Sequence, residues 1–133
     1  MKFEKSCGAV VFSNNKVLII EHNFGHISFP KGHVEGNESE IETAIREVKE
    51  ETGIDIEINN NKRYSLRYNP KDDISKEVIY FVGKKIGGEL NPQFEEIGSC
   101  YFVDKNKAIN LITFDNDRNM YLEILNDIEK GEL

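Results

Sequence analysis

The stretch from residue 32 to residue 54, GHVEGNESEIETAIREVKEETGI, leaves this chain few folds, because it spells a tight loop, a helix and a helix stop in succession. Ser39 followed by Glu42 is a capping-box pair, which starts the helix at Ser39, and Gly53 suits its end. Ile41, Ala44, Ile45 and Val48 recur at i, i+3, i+4 and i+7, an apolar stripe that must face a core. Glu47, Glu50 and Glu51 lie three and four residues apart and share a second face of the same cylinder. At about 3.6 residues per turn, that face stands roughly a third of a turn from the apolar stripe. These like charges repel, and Glu50 and Glu51 also stand near the negative helix end. In a chain that is 31% charged, such a cluster is by default a solvated face. A bound hard cation gives it a different meaning, because Mg²⁺ takes carboxylate oxygens and keeps waters for phosphate.

The rest of the chain supplies strands for this helix to cover. Residues 2–12 read as a strand, Asn14-Asn15 as a tight turn, and residues 16–21 as the returning strand; their unbroken apolar runs imply burial on both faces. Residues 22–28 read as a loop in which His22 and His26 are surface side chains. Pro30 and Gly32, within Phe29-Pro30-Lys31-Gly32-His33-Val34-Glu35, give that segment a defined shape. Ile54, Ile56 and Ile58 alternate with polar residues as a half-buried strand, and residues 59–61 turn. Residues 62–68 form another strand with Tyr64, Leu66 and Tyr68 on one face, followed by a loop over 69–73. Residues 77–85 carry the most strand-like core, Val78 to Val82, and Gly87-Gly88 ends it. A polar connection over 90–97 holds Glu95 and Glu96, and a last strand spans 99–103. A short helix over 106–111 and a longer one from about residue 117, with Tyr121, Ile124, Leu125 and Ile128 as its stripe, close the chain. The expectation is one α/β domain over 1–133, a sandwich with helices on both sides of a mixed β-sheet.

Composition narrows the function classes. A length of 133 residues suffices for one core without disulfides, and Cys7 and Cys100 read as buried, reduced thiols of a cytoplasmic protein. No apolar run approaches the ~20 residues of a membrane span, and the N-terminus lacks a signal-peptide pattern. The net charge of −7 argues against an extended nucleic-acid surface, so an anionic partner needs positive charge supplied locally.

The spacing of Gly32, Glu38, Arg46-Glu47, Glu50-Glu51 and Gly53-Ile54 matches the Nudix box at every defining position, and the chain resembles the Nudix hydrolases. The resemblance implies the Nudix α/β/α sandwich. It also implies a Mg²⁺ site (with Mn²⁺ as an alternative) held by Glu47, Glu50, Glu51 and the Gly32 carbonyl, with Arg46 holding a box glutamate in place. Glu38 is similar to the family's early box glutamate, which supports the loop or the metal. The implied reaction is attack of water on a phosphorus of a diphosphate bridge. Its base is one of the box glutamates, or Glu95 or Glu96 of the later loop.

Two further stretches are similar to the asymmetric dinucleoside-tetraphosphate hydrolases. Residues 29–35 resemble the P-K-G-H-x-E entry segment of that subgroup, which places Lys31 and His33 beside the substrate. Lys76-Glu77-Val78-Ile79-Tyr80 resembles its K-x-V-x-Y strand, implying a phosphate contact for Lys76 and adenine stacking for Tyr80. From the residues alone, a tyrosine in an apolar strand is equally a core residue. Gly36-Asn37 replaces the subgroup's usual Pro-Gly, with asparagine able to adopt a left-handed backbone there. The expected partner is a small nucleotide, the leading substrate diadenosine tetraphosphate cut to ATP and AMP, and the assembly a monomer or dimer. Other Nudix pyrophosphohydrolase substrates (nucleoside triphosphates, RNA 5′ ends, sugar nucleotides, inositol pyrophosphates) stay open, as does a nucleotide-sensing module without turnover.

Overall fold

Unbroken apolar runs bury both faces of two long strands, and these form the centre of the structure. β1 (Lys2–Ser13) and β7 (Ile74–Gly88) run parallel, with Cys7 opposite Ile79 and Gly8 opposite Tyr80. The structure is a computed structural model and describes residues 1–92 and 97–133. β2 (Lys16–His22) returns antiparallel to β1 through the Asn14-Asn15 turn, where Asn14 takes the left-handed conformation at φ 57°. β8 (Ile97–Asp104) pairs with β2, and β5 (Ile54–Glu57) and β6 (Tyr64–Lys71) pair with β7, all antiparallel. Two short strands, β3 (Ile27–Ser28) on β2 and β4 (Lys31–His33) on β1, complete a mixed sheet. The expected α/β sandwich is the observed architecture.

Alternation along the strands decides which helix each side chain meets. α1 (Glu40–Thr52) covers one face: Ala44 packs with Cys7, Ile79 and Phe81, and Val48 with Ala9, Val11 and Ile54. α2 (Asp115–Glu129) covers the other with Met120, Tyr121 and Ile124, against Val10, Ile19, Val78 and Tyr80. Burying each such side chain contributes about 1.5–3 kcal/mol. Cys7 and Cys100 are buried free thiols, and burial pushes Cys7 up to about 11, which makes it unreactive. Among the described residues no helix is long and apolar enough to cross a membrane.

Four expectations change in detail. The loop expected over 22–28 contains β3, too short to carry a periodicity. β6 runs on through Pro70 to Lys71, where a loop was expected; the ladder shifts register between Tyr68 and Lys71, so the missing proline N–H costs no regular bond. The short helix is a 3₁₀ turn at Ala108–Asn110, and α2 starts two residues earlier than its apolar stripe suggested.

Two buried tyrosines of this fold have opposite hydrogen-bond accounts. Tyr64 donates to Asp127 Oδ2 at 2.6 Å, whereas the Tyr80 hydroxyl is buried with no partner among the described residues. Tyr64→Phe should therefore lose about 1–3 kcal/mol in denaturant unfolding, and Tyr80→Phe should be neutral or stabilising. Equal losses in the two variants would contradict this account.

Candidate active site

The site is made by a loop pressed onto a helix. β4 pairs with β1, with Gly32 opposite Cys7 and Gly8 opposite Lys31. A Cβ on Gly32 would lie 1.8 Å from Glu47 Oε2, so only glycine lets the strand touch this carboxylate. On α1 the capping box expected at Ser39 is present: Glu42 N–H donates to Ser39 Oγ, and Ser39 N–H to Glu42 Oε1. Gly53 ends the helix at φ 82°. Between these caps Glu47 and Glu51 are turned inward, 9% and 7% exposed, while Glu50 is half exposed. The Lys31 N–H donates to Glu51 Oε1 at 2.8 Å, tying β4 to the helix.

Arg46 organises the acids. Its guanidinium donates to both oxygens of Glu38 at 2.6 and 2.9 Å, to Glu47 Oε1 at 2.7 Å, to Glu50 Oε2 at 3.0 Å and to the His33 carbonyl at 3.0 Å. The fork holds Glu38 well below the carboxylate range, at about 2. Glu47 moves the other way, raised by burial despite the neighbouring arginine. The turn before the helix places its positive φ at Gly36, at 53°.

Glu47, Glu51, Gly32, His33, Lys31 and Lys76 line one cleft of about 230 Å³. Lys76 is lowered by burial and by Lys31 nearby. The donor set suits a hard divalent cation, since Mg²⁺ binds through one or two carboxylates and completes its shell with water and phosphate. Among the described residues no group of three or more histidine, cysteine, aspartate or glutamate side chains is arranged to hold a metal ion by itself. Arg46 engages one oxygen each of Glu47 and Glu50, leaving Glu47 Oε2 against Gly32.

A NUDIX domain profile matches residues 2–123, most of the chain. The chain belongs to the NUDIX family. It is 32% identical over 112 residues to "Nudix hydrolase 2" of Arabidopsis thaliana, covering 77% of this chain and 40% of that protein. It is 30% identical over 127 residues to the "Bis(5'-nucleosyl)-tetraphosphatase [asymmetrical]" of Rattus norvegicus, covering 84% of this chain and 86% of the relative. This NUDIX chain thus spans less than half of the Arabidopsis protein's length. Its fold is that of the structure titled "Crystal Structure of a C. elegans Ap4A Hydrolase Binary Complex", with a TM-score of 0.79 at 23% identity over 96% of this chain and 98% of that one.

Of the expected site residues of this NUDIX chain, Lys31, Gly32, His33, Glu47, Glu51 and Lys76 converge in the cleft, and Arg46 brings Glu50 alongside. Glu95 and Glu96 lie outside the described residues. Tyr80 is corrected: it is fully buried, edge-on to Phe29 at 6.0 Å between centroids, and offers no face to a base. Sequence reasoning missed a second cleft of about 350 Å³ that shares Lys31 and is walled by His22, His26, Tyr68, Phe114 and Asp117. Those residues come from three separate segments, so no local spacing announces them.

The Glu38–Arg46 pair makes a pH prediction. Because folding lowers the Glu38 pKa from the usual 4.5 to about 2, its contribution is full above 4.5 and disappears as pH falls towards 2. Melting temperatures of the parent and Glu38→Gln should differ most above pH 4.5 and converge on acidification. A gap that does not change with pH would be evidence against this ion pair.

Proposed function

We propose that this chain is a metal-dependent pyrophosphohydrolase whose substrate is a dinucleoside tetraphosphate, cut asymmetrically by water into a mononucleotide and a trinucleotide. Diadenosine tetraphosphate would give AMP and ATP. The observation that carries the reading is the junction at Lys31, where a cleft of carboxylates and lysines meets a cleft walled by aromatic rings. A polyphosphate ending in a nucleoside has that same succession of charge and flat apolar surface. The rat relative's name adds support for the tetraphosphate.

The roles follow from the side chains. Glu47 and Glu51, with Glu50 and the Gly32 carbonyl, would hold Mg²⁺, with Mn²⁺ as substitute. The ion, when bound, polarises the bridging phosphate and lowers the pKa of the attacking water. Lys31 and Lys76 neutralise phosphate charge against the overall field of a chain of net charge −7. His33, exposed on the cleft rim, contacts the polyphosphate. Arg46 fixes the orientation of Glu47 and Glu50 through its planar fork. Glu50 and Glu51 are the catalytic carboxylates we favour, with Glu96 as the alternative base. The partner is a small nucleotide, and the location we propose is the cytoplasm.

Product analysis tests the reading. With Mg²⁺ and diadenosine tetraphosphate, equimolar AMP and ATP are expected; two ADP, or no turnover while triphosphates are cleaved, would sink the tetraphosphate assignment. Glu50→Gln and Glu51→Gln should each lower turnover about 10²–10⁴-fold, and Glu57→Gln, on β5, should not. The cation is tested without turnover. At ~100 times its dissociation constant Mg²⁺ should stabilise the parent by about 2.7 kcal/mol, and Glu47→Gln should abolish most of that shift.

A further inference from the structure

We propose that Asp117 reads the edge of the base in the second cleft and selects a base with two adjacent N–H donors, guanine, over adenine. The proposal rests on the nucleotide reading above, which leaves the base open once Tyr80 is placed in the core. The cleft is built for a flat ring. The His22 and His26 rings stack at 4.0 Å, Phe114 tilts against His26 at 5.5 Å, and Tyr68 is 38% exposed on the strand side. Stacking on such rings tolerates any base, so identity has to be read at the polar edge.

Asp117 is the carboxylate on that wall. Its neighbours on α2 are engaged: Asp115 pairs with Arg118, and Asp127 with Tyr64 and Lys62. Asp117 is half-buried and forms no hydrogen bond or ion pair with a described residue. Burial raises its carboxyl, with Lys31 and His26 opposing, a cost that an N–H donor pair from a ligand would relieve.

A carboxylate only accepts, and its two oxygens match two parallel N–H groups. Guanine offers N1–H beside N2–H₂ on one edge. Adenine offers N6–H₂ beside a ring nitrogen whose lone pair faces the carboxylate, and the pyrimidines likewise put acceptors next to their donor. Two adjacent donors therefore single out guanine.

Calorimetric titration with GMP and AMP tests this without catalysis. The parent should bind GMP about 10-fold or more tighter than AMP, the scale of a bidentate base contact. Asp117→Asn, which pairs a donor with an acceptor as adenine does, should erase or invert that ratio, and Asp117→Ala should erase it by weakening GMP alone. Melting temperatures establish that the variants are folded; if one is not, the parent ratio and the other variant decide. A parent that binds both equally or neither, or variants that keep the parent ratio, overturn the proposal. The same proteins are then given diguanosine and diadenosine tetraphosphate. Guanine selectivity in binding without hydrolysis of either substrate would discard the tetraphosphate reading alone, and hydrolysis of both without selectivity would discard the role of Asp117 alone.

Discussion

The guanidinium of Arg46 is what allows two helix acids, Glu47 and Glu50, to stand together beside a strand. It spans Glu38 before the helix, Glu47 and Glu50 on it and the His33 carbonyl on β4, so loop, strand and helix share one planar donor. A lysine there would supply charge without the fork, and the separate directions of these contacts need the fork. Glu47 shows the limit of the compensation. Even beside Arg46 its carboxyl is raised, with burial outweighing the arginine. The helix is thus left with an electrostatic debt that folding alone does not settle, as functional sites often are.

Close approach is the second condition, and it depends on two missing side chains. Gly32 admits Glu47, and Gly8 admits the Pro30 carbonyl at 2.1 Å from where a Cβ would be. These glycines let β4 lie flat on β1 while touching α1. The Lys31 N–H can then reach Glu51, and the cleft acquires a backbone floor. The placement of the acids is consequently a property of strand, loop and helix together, even though their spacing belongs to the helix.

How much of this could be read in the sequence varied with the range of the interactions. The α1 caps, stripe and acid face are local, and all were legible. The faces of β7 were legible too: Phe81 meets α1 and Tyr80 the opposite side. What alternation along a strand cannot say is how far the opposite layer extends. Lys76, Val78 and Tyr80 share one face, but α2 brings Met120, Tyr121 and Ile124 over its middle and leaves its beginning uncovered. Lys76 therefore opens on the cleft and Tyr80 is sealed, although the short motif treats both as substrate contacts. The second cleft was invisible for a related reason. His22 and His26 looked like loop surface until β3 turned the segment back, and Phe114 and Asp117 lie at a helix start that the apolar stripe placed too late.

The lysines mirror the glutamates. Lys31 and Lys76 line the same cleft as Glu47 and Glu51, yet neither ammonium group is in an ion pair with a described residue, and their proximity helps to lower Lys76. In a chain with 24 acidic residues, half-buried lysines held out of ion pairs are poor choices for stability. A cation alone would ease the acids and worsen the lysines, and a phosphate alone would do the reverse. A metal–polyphosphate brings both signs in the right order along one groove. On the function proposed above, the cleft would be complementary to the pair, with neither component expected to bind as well without the other.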